Sequence, residues 1–128
     1  MPKKQVVAPA GMAASSAPLS PAIRFGNLIF ISGQVGRNPA TGKMEGTIQE
    51  QARHTMDSVK AIVEAAGCAM DDILKTTCYL SDINNREPFN AVYATYFGAE
   101  RPARSCFAVG ALGPGCLVEV EAIVGVPD

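Results

Sequence analysis

The sequence predicts an α+β fold in which two helices cover one face of a mixed sheet of about six strands. The 128 residues are 48% hydrophobic, which fits a single domain over residues 1–128 with one core. Two segments carry apolar residues at helical spacing, and short β-branched segments lie before, between and after them. The predicted order is strand, strand, strand, helix, strand, helix, strand, strand.

The N-terminal part of the chain is predicted to form strands joined by a tight turn. A first strand is predicted at residues 5–8, and a second strand ends near Phe25. Gly26 and Asn27 tolerate the positive φ of a hairpin turn, so a third strand is predicted over residues 28–32. The segment NPATGK that follows is predicted to be a surface turn.

A long helix is predicted from Thr47 to Ala66, because apolar residues recur every three or four positions on one face. Its ends carry their own signals. Thr47 and Glu50 match a capping box, and Gly67 matches the position that follows a helix C-terminus. After a short loop, the segment ILKTTCYL predicts a buried strand, and the helix and this strand form a crossover unit.

A second helix is predicted from Asn84 or Asn85 to Phe97, with Pro88 tolerated in the first turn. Asn84 and Glu87 mark its N-terminus. Its apolar stripe, which is predicted to be buried and holds most of the aromatic area of the core, consists of Phe89, Val92, Tyr93, Tyr96 and Phe97.

The segment RPARSCFAVGALGPGCLVEVEA, residues 101–122, predicts two strands joined by a Gly/Pro loop. In the second strand, small and branched apolar residues alternate with Glu119, Glu121, Ile123 and Gly125. One face of that strand is therefore wholly apolar, while the other carries charge beside apolar residues. A mixed face of this kind suits a subunit interface that holds water or a ligand, so an oligomer is predicted.

Composition and charge narrow the classes of function. The formal net charge is −1 and the 11 lysines and arginines are scattered, so nucleic acid is not expected to be the primary partner. No apolar stretch approaches the roughly 20 residues that span a bilayer. Pro9 and Gly11 interrupt the N-terminal segment that resembles a signal peptide. A soluble, cytoplasmic protein without a membrane partner is expected.

The four cysteines, Cys68, Cys78, Cys106 and Cys116, include no C-x-x-C pair and no histidine partner at zinc-like spacing. They are predicted to be reduced and mostly buried thiols. The single His54 lies in a polar part of the first predicted helix, where a solvated residue is favoured over a ligand or a base. No metal site and no organic cofactor is expected.

Charged residues in the last two predicted strands are the first candidates for chemistry. The forked guanidinium of Arg104 matches a carboxylate with two parallel hydrogen bonds, and a cross-strand salt bridge to Glu119 or Glu121 is an equally weighted alternative. The two glutamates point the same way from a strand, which suits a base with an electrostatic partner, although a solvated edge is favoured by pattern alone. Like charges this close raise one pKa when both are buried.

Two further residues accompany these charges. Cys106 lies two residues after Arg104 and points to the same face of its strand. Ser32 ends the predicted hairpin strand and offers a hydroxyl, although such a position is more often a strand that ends in a turn. The loop GALGPGC leaves the strand register open, so the pattern does not say whether Arg104 shares a face with either glutamate.

Five segments of the sequence, taken together, form a family-specific pattern. PARSCFAVGALGPGCLVEVEA, ISGQVG, QARHTMDSVKAIVEAAG, ILKTTCYLSDIN and FNAVYATYFG closely resemble the RidA family, also called YjgF, from about Ala22 to the C-terminus. The resemblance implies a chorismate-mutase-like subunit in a homotrimer with ligand clefts between neighbouring subunits. It also implies hydrolysis of reactive 2-imino acids and their enamine tautomers, such as 2-iminopropanoate and 2-iminobutanoate, to 2-oxo acids and ammonia.

The same resemblance implies roles for individual residues. Arg104 matches the family arginine that binds the substrate carboxylate, and Glu119 matches the glutamate that holds the attacking water. Glu121 matches no family catalytic residue and is expected to be structural. Further cleft positions are matched by Ser32, Asn90 and Cys106.

The chain departs from the family pattern at Leu19, where many members have a tyrosine that reaches into the cleft. A hydroxyl donor is missing there, which bears on substrate preference and rate. Two alternatives remain open beside the imine deaminase. One is a deaminase of a related enamine, such as aminoacrylate or 2-aminomuconate, in a degradation pathway. The other is a trimer that binds small carboxylates, or acts as a chaperone, without turnover.

Overall fold

The computed structural model describes residues 1–12 and 16–128, which form a six-stranded mixed sheet with two α-helices packed on one face. Along the sheet the strands lie in the order β1-β2-β3-β6-β4-β5, and within it only β4 and β5 are parallel. The elements follow the predicted order along the chain: β1 (Gln5–Val7), β2 (Ala22–Phe25), β3 (Leu28–Val35), α1 (Ile48–Ala65), β4 (Ile73–Leu80), α2 (Arg86–Tyr93), β5 (Ala103–Ala108) and β6 (Val118–Gly125).

The predicted hairpin of β2 and β3 is confirmed, and Gly26 in its turn has a φ of 64°. The strand β3 is longer than predicted and continues to Val35. Its extension pairs with β6 across an irregularity between Ile31 and Gln34. Ser32 therefore lies within β3, next to a β-bulge, and not at the end of the strand. The strand continues past Ser32 because it pairs with β6, a pairing that the local sequence does not reveal.

The long helix α1 agrees with its prediction at both ends. The Thr47 hydroxyl accepts a hydrogen bond from the Glu50 backbone N–H, and the Glu50 carboxylate accepts one from the Thr47 backbone N–H. Gly67, just past the end of the helix, has a φ of 77°. The apolar stripe of α1 is buried against the sheet and α2, and it includes Ile48, Ala52, Met56, Val59, Ile62 and Val63.

The second helix is shorter than predicted. It spans Arg86–Tyr93, between 3₁₀ turns at Ile83–Asn85 and Ala94–Tyr96. The predicted cap at Asn84 is wrong: the N-cap of α2 is Asn85, and Asn84 lies in the preceding 3₁₀ turn, which Asp82 caps by accepting a hydrogen bond from the Asn84 backbone N–H. The chain therefore enters α2 through a tighter turn. Within the predicted stripe, burial is confirmed for Phe89 and Tyr93. The other members are only partly buried: Val92, Tyr96 and Phe97.

The predicted two-faced character of β6 is confirmed. Its small and branched residues are buried under the helices, and its glutamates lie on the opposite side of the sheet. Cross-strand register places residues of β3, β4 and β5 on that same side. The side facing away from the helices, called the open face below, carries Phe30, Tyr79, Phe107, Glu119, Glu121 and Ile123.

All four cysteines are free thiols, with Cys78 and Cys116 buried and Cys68 and Cys106 half-buried. Burial raises the pKa of Cys78 to about 12, which makes this thiol unreactive near neutral pH. Over the described ranges, every helix is too short or too polar to cross a membrane.

Candidate active site

Arg104 is held on the helix side of the sheet, at its edge. It pairs in register with the buried Thr76 of β4, so its side chain leaves the strand towards α2. Its Nη1 donates a hydrogen bond to the Asn90 side-chain oxygen at 2.8 Å, and its Cζ lies 4.9 Å from the centroid of the Tyr93 ring. These two contacts fix the direction of the guanidinium, which also interacts with the neighbouring Cys78 thiol.

The alternative of a salt bridge from Arg104 to Glu119 or Glu121 is wrong. Among the described strands, β5 forms the edge of the sheet and pairs with β4 alone, so β4 separates it from β6. Register also places both glutamates on the open face, opposite to Arg104. In the part of the chain that the structure describes, the guanidinium donates to the neutral amide of Asn90, lies near the Cys78 thiol and pairs with no carboxylate. Its charge is therefore available to an anion.

A cavity of about 290 Å³ lies beside the Arg104 guanidinium. Its size is at the lower end of ligand pockets and suits a small organic acid. This arginine cavity, as it is called below, is lined by Asn90, Tyr93, Ala94, Arg101, Pro102 and Arg104. Cys106 lies on the same side of β5, as predicted, in register with the buried Cys78 and packed against the core.

Glu119 lies on the open face, in register with Tyr79 of β4 and Val35 of β3. Its carboxylate rests against the backbone of Gly33, where a methyl group would overlap it. The absence of a side chain at Gly33 therefore leaves the space that the Glu119 carboxylate occupies.

The environment of Glu119 disfavours its charge. Burial raises the pKa of the Glu119 carboxyl, and the neighbouring charge of Glu121 raises it further. The predicted effect of two like charges assumed that both are buried, whereas Glu121 is exposed and the burial of Glu119 is the larger cause. Glu121 is exposed and accepts a hydrogen bond from the Tyr79 hydroxyl, which raises the pKa of Tyr79 to about 12.

Ser32 directly precedes Gly33 in β3, and Leu19 lines a cavity together with Gly33. The Ser32 hydroxyl donates a hydrogen bond to the Ser20 carbonyl oxygen at 2.7 Å, and this bond connects the N-terminal loop to β3. Leu19 is 53% exposed and lines, with Gly33, a second cavity of about 600 Å³ between β3 and α1. His54 also lines this second cavity and is half-buried, whereas the sequence predicted a solvated residue.

Comparison with known proteins agrees with this architecture. A family model described as endoribonuclease L-PSP matches residues 10–126. The chain belongs to this family, also called the RidA or YjgF family. A RidA-family relative named 2-iminobutanoate/2-iminopropanoate deaminase, from Escherichia coli, is 42% identical over 113 residues, or 86% of this chain and 88% of the relative.

Two other relatives extend the comparison. A RutC family protein of Pyrococcus horikoshii is 45% identical over 107 residues, which cover 83% of this chain and 85% of that protein. The crystal structure of Escherichia coli TdcF with bound serine matches with a TM-score of 0.88 at 32% identity, covering 96% of this chain and 99% of that one. The fold described above is therefore the RidA fold.

The residues that the RidA resemblance singled out fall into two groups. Asn90, Arg104 and Cys106 lie together on the helix side of β5 and α2, whereas Leu19, Ser32 and Glu119 gather around Gly33. Sequence reasoning missed Tyr93 and Gly33 as supports of the two charges. Tyr93 was assigned to the core because of its helical spacing, and the contact of Gly33 with Glu119 depends on the pairing of β3 with β6. Within one chain the sheet separates Arg104 from Glu119.

Proposed function

We propose that this chain hydrolyses small 2-imino acids and their enamine tautomers to 2-oxo acids and ammonia, with 2-iminopropanoate and 2-iminobutanoate as model substrates. The observation that carries the proposal is Arg104, which Asn90 and Tyr93 orient beside a cavity of about 290 Å³. A guanidinium held in this way matches the carboxylate that these substrates share. The names of relatives such as the deaminase of Escherichia coli support the same activity.

The complete site is proposed to form between two copies of the chain in a homotrimer. One copy supplies the arginine cavity, and its neighbour supplies Glu119, because a single copy holds them on opposite faces of the sheet. The open face has the composition of an interface, since Phe30 and Phe107 are each 45% exposed there. A contact between two different surfaces closes into a ring, and the RidA resemblance implies a ring of three.

In the proposed reaction Arg104 binds the carboxylate and thereby presents C2 of the imine. Glu119 of the neighbouring copy accepts a proton from water as the water oxygen bonds to C2, and the C=N electron pair moves to nitrogen, which takes up a proton from solvent. As the C–N bond of the resulting carbinolamine breaks and C=O forms, the hydroxyl proton passes to solvent, Glu119 returns its proton to nitrogen, and ammonia leaves. A raised pKa suits Glu119 for this step, because a stronger base accepts the proton more readily and can return it to the leaving nitrogen.

A coupled assay tests the activity. A pyridoxal-phosphate dehydratase generates 2-iminobutanoate from threonine, and the loss of imine absorbance is followed with and without the protein. We expect decay that accelerates in proportion to protein concentration and yields one ammonia for each 2-oxobutanoate. An unchanged decay rate, with 2-oxobutanoate nevertheless bound, would establish the carboxylate-binding trimer instead.

RNA cleavage, which the family description names, is the less favoured activity. The formal net charge of −1 provides no extended positive field for a phosphate backbone. The two arginines of the arginine cavity lie in a depression that suits a small acid rather than a polynucleotide groove.

A site shared between copies predicts complementation of two inactive variants. Arg104→Ala and Glu119→Gln are unfolded and refolded together, so that mixed trimers contain some clefts with both an intact arginine and an intact glutamate. Random assembly of equal amounts leaves one intact cleft in each mixed trimer, or about a quarter of wild-type activity. Light scattering checks the trimer. A stable monomer, or a mixture no more active than its parts, would overturn the shared site.

A further inference from the structure

The arginine cavity is lined by a second arginine, which an imino acid with a single carboxylate does not need once Arg104 binds it. Arg101 and Arg104 both line it, and no aspartate or glutamate does so among the residues described. Arg104 is held by Asn90, whereas Arg101 is exposed and makes no hydrogen bond or ion pair with a described residue, the adjacent Glu100 included. Within one copy, the described residues that line the cavity therefore include two arginines and no acid.

The backbone presents Arg101 at a defined place on the rim of the cavity. It directly precedes Pro102, whose ring restricts φ and also restricts the residue before it. Pro102 leads into β5, the strand that carries Arg104. The two arginines thus belong to the same short segment, with Arg104 half-buried in β5 and Arg101 exposed just before it.

One carboxylate satisfies Arg104, so a ligand that also engages Arg101 needs a second acidic group. We propose that Arg101 makes this site selective for 2-imino acids whose side chain ends in a carboxylate, such as the imines of glutamate and aspartate. This inference rests on the proposed deaminase function. In such a complex Arg104 binds the carboxylate next to C2, and Arg101 binds the distal one.

Three imines and two variants test the selectivity. An amino-acid oxidase of suitable specificity generates the imines of glutamate, glutamine and alanine, of which glutamine is the uncharged match for glutamate. Arg101→Gln removes the rim charge. Arg86→Gln removes an equal charge from an exposed residue at the start of α2 that does not line the cavity.

The measured quantity is the ratio of kcat/KM for the glutamate imine to kcat/KM for the glutamine imine. We expect Arg101→Gln to lower this ratio roughly fivefold, the upper range for a solvent-accessible ion pair, and added salt to lower it in the wild type. Arg86→Gln is expected to leave the ratio at its wild-type value. A ratio unchanged in Arg101→Gln, or lowered equally in both variants, would overturn the proposal.

Calorimetry with the 2-oxo acids separates this inference from the proposed function. If 2-oxoglutarate binds more weakly to Arg101→Gln than to wild type while 2-oxobutanoate does not, the second anion contact stands even for a protein that deaminates no imine. If the alanine imine is deaminated but 2-oxoglutarate binds no more tightly than 2-oxobutanoate, the deaminase stands and the selectivity fails.

Discussion

Arg104→Ala is expected to lower kcat/KM for 2-iminobutanoate by at least about 100-fold while the oligomer stays intact. A hydrogen bond to a charged group contributes roughly 1.5–3 kcal/mol, and the orientation of C2 that depends on it adds to this loss. The fold should survive, because Arg104 is half-buried on an edge strand and its main polar partner, Asn90, is within reach of water once the guanidinium is gone.

Two variants accompany the measurement. Arg104→Lys keeps the charge but loses the fork, and its activity should lie between those of the wild type and the alanine variant. Arg86→Ala, an exposed arginine outside the arginine cavity, should resemble the wild type. Light scattering and thermal unfolding show whether Arg104→Ala is correctly assembled. Undiminished turnover of 2-iminobutanoate by an assembled Arg104→Ala protein would refute this residue as the carboxylate anchor.

Glu119→Gln is expected to lower kcat by about 10²–10⁴-fold with a small change in KM, because the amide keeps the shape of the side chain but cannot accept the proton from water. Burial and Glu121 raise the pKa of Glu119 above its ordinary value of 4.5. The acidic limb of the kcat profile should therefore lie above the pH at which an ordinary glutamate titrates. The measurement is kcat against pH in the coupled assay.

The same raised pKa predicts that Glu119→Gln stabilises the protein at neutral pH. A carboxyl with a raised folded-state pKa binds its proton more tightly when folded, so its contribution to stability is present below pH 4.5 and is lost as the pH rises through the folded-state value. The glutamine variant avoids this loss. Its Tm should exceed that of the wild type at pH 7, and the difference should shrink at acidic pH.

Glu121→Gln is the matched control, since this glutamate lies two residues away on the same strand face. Glu121→Gln should lower kcat less than Glu119→Gln does. It should also move the acidic limb of the kcat–pH profile to lower pH, because it removes a charge that raises the pKa of Glu119. If a correctly folded Glu121→Gln protein loses more kcat than Glu119→Gln, then Glu119 is not the base.

The sequence by itself predicted the elements whose signals are local. The capping box of Thr47 and Glu50 marked the start of α1, and the Gly26 turn defined the hairpin, because each depends on contacts between residues at most a few positions apart. The ends of α2 were predicted less well. There the carboxylate of Asp82, which lies outside the predicted helix, accepts a hydrogen bond from the backbone N–H of Asn84. This bond stabilises a 3₁₀ turn, and α2 begins after it.

The sequence also indicated candidate residues for the chemistry, but only the tertiary structure decided how they are arranged. Side chains alternate between the two faces of a strand, so the sequence predicts that Glu119 and Glu121 share one face of their strand. In the same way it predicts that Arg104 and Cys106 share a face of theirs. It does not predict how the two strands lie relative to each other. That relation depends on β6 lying between β3 and β4, a pairing between residues distant in the chain. This pairing sets Arg104 and Glu119 on opposite faces, which is the physical reason why the proposed site needs a second copy of the chain.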